Sequence, residues 1–492
     1  MDTEFNNKTI AVVGLARSGL ACCRVLTQFG ATVIPCDGKP AEALTDALAE
    51  VAALGLTAVV GGAPLDYSVL DYVVTSPGVR KDAAVLQAAV AAGVPVLGEI
   101  EAAYRIARAP ILAITGTNGK TTTTLLLGEM LQAAGIETYI AGNIAAGDIA
   151  LPLIEAAYAA PPDAAIVAEI SSFQLEWIST FRPKVAALLN ITPDHGDRQS
   201  WDEYVAAKWR IFENQTEEDA AVIPHRTVHV PEFAEHIRDV PSSLWEVAAM
   251  PPAEYIIESE TDNILFDYSP VAFSNECVDN LLCKVSAIKL PGEHNQENIM
   301  VAAGMAMALE VCMNQGYSEV FDTGVEPGAF HVGLEAIQQV ATTFTGVVHR
   351  LEYVETIDGV RYVNNSMCTN AAAFENSLAA LPEPKVVIAG GVFKGGDVRA
   401  LADAVVKNNV KALVLIGRSA PEIEETARAA GYETVYQAGT LIEAVTTAVG
   451  LAEAGDTVLL APACASFDMF RDFEDRGEQF KAAVREISGA AE

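Results

Sequence analysis

The segment that most constrains this chain is a strand, a glycine-rich turn and a helix in direct succession. A strand predicted over 109–114 runs into Thr-Gly-Thr-Asn-Gly-Lys-Thr-Thr at 115–122, and an apolar helix is predicted over 125–134. A phosphate loop needs glycines that turn backbone N–H groups inward, a lysine for the β- and γ-phosphates and a hydroxyl for Mg²⁺. Four residues supply these groups: Gly116, Gly119, Lys120 and Thr121. The glycines are closer together than in the general pattern, so the segment predicts a shortened ATP-binding loop.

Two further strands of this region end in polar residues that could face the same loop. The strand predicted over 164–168 ends in Glu169, and the strand predicted over 185–190 leads into Asp194 and His195. The carboxyl ends of parallel strands meet at one edge of a sheet, where a carboxylate beside a phosphate loop can hold Mg²⁺. We therefore expect Glu169 and His195 to belong to the nucleotide site.

The residues that follow show no chemical signal of their own. An amphipathic helix is predicted over 204–214, and by itself its Lys208 is expected to be a solvated surface charge. The next stretch is interpreted as loop-rich. Its three histidines are expected to be ordinary surface residues, namely His225, His229 and His236.

The first hundred residues contain a second nucleotide-like turn. A strand over 8–13 precedes the turn at 14–19, a helix follows over 20–29, and the next apolar run reaches Asp37, where a ribose-binding acid would lie. Because Ala16 replaces the middle glycine of the dinucleotide pattern, three interpretations stay open: a dinucleotide site, a site for another nucleotide-like ligand, and a structural turn. A later strand ends in Ser-Pro-Gly at 76–78, which can present backbone amides or form an ordinary turn.

Composition limits the class of protein. A chain of 492 residues with 51% hydrophobic residues can fill two or three cores, and three segments show strand-then-helix order, so we expect three α/β domains in series. The net charge of −34 disfavours nucleic acid and anionic membranes as partners. Eight cysteines without paired C-x-x-C spacing suggest neither a zinc ribbon nor a disulfide framework. No segment resembles a signal peptide or a membrane span, so we expect a soluble cytoplasmic protein.

Taken together, the motifs resemble the Mur ligases, and among them the branch that adds D-glutamate to UDP-N-acetylmuramoyl-L-alanine. The resemblance covers nearly the whole chain, from Gly14 to Gly477, in the order of the family. Its motifs are the loop at 115–122, Ala168 to Glu176, Asn190 to Arg198, Leu290 to Asn298, His349-Arg350, Leu460 to Asp468 and Phe473 to Gly477.

The resemblance implies a fold and an activity. The fold has a Rossmann-like domain for the UDP-sugar over 1–108, a central P-loop ATPase-type α/β domain over 109–345 and a Rossmann-like domain for the amino acid over 346–492. The activity is amide formation in peptidoglycan precursor synthesis: ATP phosphorylates the substrate carboxylate, and the amine of the amino acid attacks the acyl phosphate. The implied cofactors are ATP and two Mg²⁺ ions, and no nicotinamide is expected. The expected partners are small-molecule substrates, and the protein is expected to be a monomer.

The resemblance also implies site residues. Catalysis is assigned to Lys120, His195, Lys208 and Asn143, with Lys208 carbamylated by CO₂ so that it becomes a metal ligand. The metal ligands are Thr121, Glu169, His195 and Lys208. The ATP contacts are Gly116, Thr117, Asn118, Gly119, Lys120, Thr121, Thr122, Asn295, Asn298, His349 and Arg350. The UDP-sugar contacts are Leu15, Ala16, Arg17, Ser18, Asp37, Ser76, Pro77, Gly78 and Asn143, and the amino-acid contacts are Thr369, Lys394, Ser466 and Phe473.

One segment departs from the family pattern. Asn365 stands where the family has an aspartate that bonds the ribose, Met367 where it has a lysine of the amino-acid site, and Cys368 where it has alanine. A missing lysine weakens Coulomb attraction for a carboxylate, and methionine brings a flexible apolar side chain. Three alternatives therefore stand beside D-glutamate ligation: another acceptor such as L-glutamate, a non-catalytic nucleotide-binding homologue, and a dehydrogenase.

Overall fold

The structure is a computed structural model of the chain. It describes residues 4–144, 151–193, 199–247, 283, 287–290, 292–314, 330–346, 348–393 and 398–490. Three predominantly parallel sheets, each accompanied by helices, follow one another along the sequence. The predicted α/β class with three domains is confirmed.

The first sheet is built from five parallel strands in the order β3-β2-β1-β4-β5. Its elements are β1 (Thr9–Val13), α1 (Arg17–Gln28), β2 (Thr32–Asp37), α2 (Thr45–Ala53), β3 (Val59–Val60), β4 (Tyr72–Thr75), α3 (Ala84–Ala91), β5 (Val96–Gly98) and α4 (Glu99–Tyr104). The chain leaves β1 towards β2 on one side and reaches β4 on the other. The carboxyl ends of β1 and β4 therefore flank the point where open α/β sheets bind ligands.

The second sheet has six described strands, all parallel, in the order β11-β10-β9-β6-β8-β7. Its elements are β6 (Ile111–Thr115), α5 (Lys120–Ala133), β7 (Thr138–Gly142), α6 (Leu153–Ala159), β8 (Ala165–Glu169), α7 (Ser172–Leu175), β9 (Val185–Leu188), α8 (Trp201–Trp209), β10 (Ala220–Pro224), α9 (His225–Val228), α10 (Ala234–Arg238), β11 (Ser243–Val247), α11 (Glu293–Asn314) and α12 (Leu334–Thr343). The strands β6, β8 and β9 are buried throughout, as expected for a parallel sheet covered on both faces.

The third sheet has the order β12-β13-β17-β14-β15-β16, and only the edge pair β12 and β13 is antiparallel. Its elements are β12 (Glu352–Ile357), β13 (Val360–Asn364), α13 (Ala371–Ala379), β14 (Lys385–Gly390), α14 (Val398–Lys407), β15 (Val410–Ile416), α15 (Ala420–Ala429), β16 (Val435–Gln437), α16 (Leu441–Leu451), β17 (Thr457–Leu460) and α17 (Phe473–Ala490).

The chain divides into two compact units. The first spans Met1–Ala287 and Gln296–Thr342 and contains the first two sheets, and the second spans Ile288–Asn295 and Thr343–Glu492 and contains the third. The predicted domain limits at 108 and 345 stay predictions. Among the described helices, none combines the length and the apolar character that a membrane span requires.

Helix α4 ties the first sheet to the second through one carboxylate. Glu101 is fully buried and accepts backbone N–H bonds from Ser179, Thr180 and Phe181 at 2.9–3.1 Å, together with a bond from Arg105 at 2.8 Å. Burial alone would raise the pKa of this carboxyl, but the N–H donors and Arg105 hold it at about 2. The ionised side chain therefore anchors the loop at 179–181.

A second buried carboxyl on the same helix has the opposite character. Glu99 accepts the N–H of Ile154 at 2.8 Å at the beginning of α6. Burial raises the pKa of Glu99 to about 7. The backbone N–H groups of Leu153 and Ile154 oppose this rise but do not replace the hydration that the carboxylate loses. Folding therefore favours the protonated form of Glu99, whereas it favours the ionised form of Glu101.

These two carboxyls predict opposite pH dependences. The Glu99 contribution to stability is complete below pH 4.5 and is lost as the pH rises through about 7, so Glu99→Gln should raise the Tm relative to wild type at pH 8 but not at pH 4.5. The difference corresponds to at most ~3 kcal/mol. Calorimetric scans from pH 4 to pH 8 measure it. Glu101→Gln is the matched control: it should lower the Tm at pH 7, and equal profiles for the two variants would contradict this assignment.

Candidate functional site

The predicted phosphate loop connects β6 to α5, and its shape depends on a glycine. Gly119 has a φ of 87°, a left-handed value that other residues rarely adopt, and it precedes the first residue of α5. A Cβ at this position would lie 2.4 Å from Oδ1 of Asn298. The helix begins at Lys120, five residues earlier than the apolar pattern predicted, so its N-terminal N–H groups border the loop.

Asn190, at the end of β9, holds the loop in place. Its Oδ1 accepts the N–H of Asn118 at 2.9 Å, its Nδ2 donates to the Asn118 carbonyl at 3.1 Å, and its own carbonyl accepts the N–H of Thr117 at 2.9 Å. The hydroxyl of Thr117 is bonded to the carbonyl of Thr192 at 3.1 Å and to the hydroxyl of Tyr204 at 3.0 Å. The loop therefore takes its form from the protein itself. The sequence alone assigned Asn190 and Tyr204 no role.

Two lysines converge on one carbonyl oxygen of the loop. Lys120 Nζ donates to the carbonyl of Gly116 at 3.0 Å, and Lys208 Nζ donates to the same oxygen at 2.7 Å. Lys208 is 2% exposed and its Nζ lies 4.5 Å from the centroid of the Tyr204 ring. The interpretation of Lys208 as a surface charge is therefore wrong, because α8 points this side chain at the loop.

Oxygen donors that could hold a metal lie in the first turn of α5 and at the end of β8. Thr121, in the first turn of α5, donates its hydroxyl to Oε2 of Glu169 at 2.7 Å, and both side chains are buried. A hydroxyl and a carboxylate are the donor types that Mg²⁺ prefers, so this pair fits the expected ion. Asn143 is exposed at the end of β7, and its N–H donates to the Glu169 carbonyl at 2.9 Å.

The other predicted ATP contacts divide between the two compact units. Thr122 is buried in α5, and Thr123 donates to Oδ1 of buried Asn298 at 3.3 Å, so Asn298 lies against the phosphate-loop helix. Asn295 is also buried but belongs to the second unit. His195 and Lys394 lie outside the described residues.

Asn143 lies at the end of β7 in the second sheet, and the other predicted UDP-sugar contacts lie at the carboxyl ends of β1, β2 and β4 in the first sheet. Asp37 accepts the N–H of Leu15 at 2.8 Å and that of Lys39 at 2.9 Å, and Ser76 Oγ donates to the Gly14 carbonyl at 2.7 Å. These bonds fix the turn on both sides. The remaining contacts are half-buried or exposed on the same rim, namely Ala16, Arg17, Ser18, Pro77 and Gly78.

A cleft of about 640 Å³ lies in the first unit, between the first and second sheets. One wall comes from residues 80–87, which follow the turn at 76–78, and the other comes from α7 and from α8, the helix that carries Lys208. Its charged lining residues are Arg80, Lys81, Asp82, Glu176, Glu203, Arg210 and Glu213. The cleft thus adjoins both the first-sheet turn and the helix of the buried lysine.

In the second unit, His349 is buried and fixed. Its Nδ1 meets Asn364 Nδ2 at 2.9 Å, its N–H donates to Glu352 Oε2 at 2.9 Å, and its ring lies edge-on to Phe473 with a centroid distance of 6.2 Å. Burial lowers the pKa of His349, which favours the neutral ring, and the Asn364 amide can donate to its Nδ1. Arg350 beside it is half-buried.

The segment that departs from the family pattern is held by interior bonds. Asn365 Oδ1 accepts the N–H of Leu351 at 3.2 Å, and its Nδ2 donates to Ser377 at 2.6 Å. Cys368 is buried, and burial raises the pKa of its thiol to about 11. Met367 is half-buried, and its N–H donates to the His349 carbonyl at 3.0 Å. The amide at 365 therefore serves the packing of this segment.

Arg476 brings the predicted amino-acid contacts together. This fully buried side chain donates to Ser366 Oγ at 3.0 Å, to the Ser366 carbonyl at 2.8 Å and to the Cys464 carbonyl at 3.1 Å. Ser366 Oγ in turn donates to the Phe473 carbonyl at 2.6 Å. The loops that carry Thr369, Ser466 and Phe473 are thereby joined. The sequence contained Arg476 within a family motif but gave no physical signal for this role.

The three histidines of the predicted loop-rich stretch are half-buried or exposed, as expected of surface residues, but each of them contacts another side chain. Residues 220–247 contain β10, α9, α10 and β11. His236 stacks on Trp209 with parallel rings and a centroid distance of 5.2 Å. His225 and His229 both contact Glu246 of β11, a pairing that the sequence could not indicate because the residues are far apart.

Models of known families match most of this chain. The N-terminal domain of MurD-like Mur ligases matches residues 8–98, the Mur ligase middle domain matches 114–306, and the Mur ligase glutamate ligase domain matches 349–464. The chain belongs to the Mur ligase family. The predicted resemblance is confirmed.

Similar Mur ligases include two that share the full length of the chain. UDP-N-acetylmuramoylalanine--D-glutamate ligase of Caldanaerobacter subterraneus subsp. tengcongensis is 40% identical over 488 residues, which are 98% of this chain and 99% of the relative. The protein of the same name from Geobacter sp. (strain M21) is 40% identical over 487 residues, which are 98% of each chain.

Solved structures of other ligases share the fold. A pseudomurein peptide ligase type C from Methanothermus fervidus gives a TM-score of 0.52 at 19% identity and covers 98% of this chain and 100% of its own. UDP-N-acetylmuramate-alanine ligase MurC from Thermotoga maritima gives 0.51 at 17% identity with the same coverage. At this identity the likeness concerns the fold alone.

Proposed function

We propose that this Mur ligase joins D-glutamate to UDP-N-acetylmuramoyl-L-alanine and converts ATP to ADP and phosphate in the reaction. The observation that carries the proposal is the convergence of Lys120, Lys208, Thr121 and Glu169 on one phosphate loop. The names of the full-length relatives support the choice of substrates. The cytoplasm, where such precursors are made, is the proposed location, and a monomer with domain limits at 108 and 345 is the proposed form.

In the first step, the carboxylate of the sugar-linked alanine attacks the γ-phosphorus of ATP, the bond to the bridging oxygen breaks, and ADP leaves. Both reactants are anions, so cationic groups must lower their repulsion. Lys120 can exchange its bond to Gly116 for the β- and γ-phosphates, and the N–H groups at the beginning of α5 face the same anion. Mg²⁺ held by Thr121 and Glu169 would neutralise phosphate charge when bound.

In the second step, the amine of the amino acid attacks the acyl phosphate. The tetrahedral intermediate expels phosphate, the nitrogen loses a proton, and an amide bond results. In the proposed acceptor site, Thr369 and Ser466 supply hydroxyls and Phe473 an apolar wall, with Lys394 as the charge partner of the side-chain carboxylate. The bonds of Arg476 support this arrangement because they fix the loops that carry these residues.

Carbamylation of Lys208 is part of the proposal. Unmodified, two ammonium groups share the Gly116 carbonyl, and like charges so close repel each other. The ammonium group first loses one proton to give the amine, and reaction of the amine with CO₂ forms an N–C bond and releases a second proton, so a cation becomes an anionic metal ligand beside Lys120. The donors proposed for the second ion are this carbamate and His195.

The amino acids that the protein accepts as substrates distinguish the proposed function from its alternatives. Phosphate release from ATP is expected only with UDP-N-acetylmuramoyl-L-alanine and D-glutamate together, and Lys120→Ala should abolish it while direct titration still detects UDP-substrate binding. Turnover with L-glutamate alone would move the assignment to another acceptor. Absence of turnover with every amino acid would favour a non-catalytic homologue, and NAD binding would favour a dehydrogenase.

The carbamylation proposal predicts chemical rescue. Lys208→Ala should lower kcat severely, and formate or acetate should restore part of the rate because a small carboxylate can fill the vacated ligand position. Initial rates with and without the additive measure this. Lys184→Ala is a matched control, because this buried lysine donates to the Glu218 carbonyl at 2.9 Å and pairs with Asp219, away from the loop. A carboxylate that rescues both variants equally, or neither, would contradict the proposal.

A lysine at position 367 is expected to strengthen the binding of D-glutamate in the proposed acceptor site. Met367→Lys should lower the KM for D-glutamate with little change in kcat, because the contact would form equally in the ground and transition states. One charge-assisted hydrogen bond contributes ~1.5–3 kcal/mol, so the KM should fall by roughly 10- to 150-fold. Cys368→Ala is the control, since it restores a family residue without charge and should leave the KM unchanged. Loss of activity in Met367→Lys would show that the pocket is built around methionine.

A further inference from the structure

The contact of His225 and His229 with Glu246 lies at the edge of the second sheet. His225 directly follows β10, and His229 N–H donates to the His225 carbonyl at 3.1 Å, so the two rings leave the same side of one helical turn. Their centroids are 4.1 Å apart. Glu246 projects from β11 opposite Ile223 in the parallel register, which places its carboxylate beside this turn.

The three side chains present their donor atoms to one point. His225 Nδ1 and His229 Nε2 both contact Oε1 of Glu246, the second at 3.1 Å, and all three donor atoms lie within 4.8 Å of one another. Donor atoms bound to a tetrahedral zinc ion at about 2.0–2.2 Å lie roughly 3.5 Å from one another, so small rotations of these side chains would let all three reach one ion. Among the described residues, this is the one group in which three or more histidine, cysteine or carboxylate side chains bring their donor atoms within 4.8 Å of one another.

The charge balance favours a cation at this point. The side chain of Glu246 is only 9% exposed, so its carboxylate is largely removed from water. The guanidinium of Arg226, in the same helical turn as the histidines, lies 3.8 Å from Glu297 of α11 instead. A divalent ion bound by the two rings and Glu246 would place positive charge beside this carboxylate.

The surrounding structure holds the ligands in place before any ion arrives. The hydroxyl of Thr227, between the two histidines, donates to the Leu189 carbonyl at 2.8 Å and anchors α9 to the end of β9. Trp245, next to Glu246, is buried on the opposite face of β11. Because helix and strand are fixed separately, binding an ion would require little reorganisation.

We propose that His225, His229 and Glu246 form a binding site for a borderline transition-metal ion of the Zn²⁺ class. Two imidazoles and one carboxylate suit Zn²⁺, Co²⁺ or Ni²⁺ better than Mg²⁺ or Ca²⁺, which prefer oxygen ligands. The His229 side chain is 60% exposed, so water can complete the coordination. The ion would bind between α9 and β11 and tie the edge strand to the turn that follows β10. The site is separate from the Mg²⁺ ligands of the phosphate loop and does not rest on the proposed ligase activity.

The test uses the full chain without an affinity tag, freed of metal by a chelator and dialysed against ZnCl₂ with excess MgCl₂. Bound zinc per chain is measured by atomic emission. Wild type should retain one zinc ion more than His229→Ala and Glu246→Gln, whose affinity should fall by at least the ~10- to 100-fold that loss of a supporting partner costs a metal site. Zinc should raise the Tm of wild type but not that of the two variants.

His331→Ala is the matched control, because His331 contacts a single carboxylate, Glu310, at 2.6 Å and should be dispensable for zinc. The circular-dichroism spectrum and the Tm of His229→Ala in zinc-free buffer should equal those of wild type, which shows that the variant folds. Co²⁺ should give a visible spectrum without a thiolate charge-transfer band, and that spectrum should disappear in His229→Ala. Equal zinc binding by wild type and His229→Ala, or a thiolate band, would overturn the proposal.

Discussion

The phosphate loop depends on one carbonyl oxygen, that of Gly116, which accepts hydrogen bonds from both Lys120 and Lys208. This oxygen fixes the distance between two cations that come from different helices. One of them, Lys120, is also the first residue of α5. Negative charge in this region relieves the repulsion between the two lysines. A bound phosphate group would supply it, and so would conversion of one lysine to an anionic group. The hydroxyl of Thr121 and the carboxylate of Glu169 border the same loop.

The sheets of the first unit are joined by polar contacts rather than by apolar packing alone. The two buried carboxyls of α4 illustrate how burial and hydrogen bonding compete, because Glu101 meets enough donors to stay ionised whereas Glu99 does not. The helix therefore holds one strong and one weak attachment within three residues.

The sequence predicted the fold class, the order of the sheets and the phosphate loop, because glycine turns after apolar strands are local signals. It did not predict contacts between distant segments. Lys208 looked like a surface residue because helical periodicity does not reveal which loop a side chain meets. The histidine cluster was missed because β11 and its parallel pairing with β10 have no local signature. Asn190 and Arg476 organise their loops through backbone carbonyls and N–H groups, which sequence patterns do not encode.

The amide of Asn365 and the guanidinium of Arg476 hold the segment around Met367 by bonds within the protein. The backbone of this segment is thus fixed before any small molecule arrives. If the segment lines the amino-acid site as proposed, a compound shaped to fit it would lose little free energy in ordering the protein. In that site, compounds that depend on a second lysine for a carboxylate would bind poorly, while an apolar group against Met367 would be accepted. Methionine at position 367 would then give the proposed site a chemical selectivity of its own.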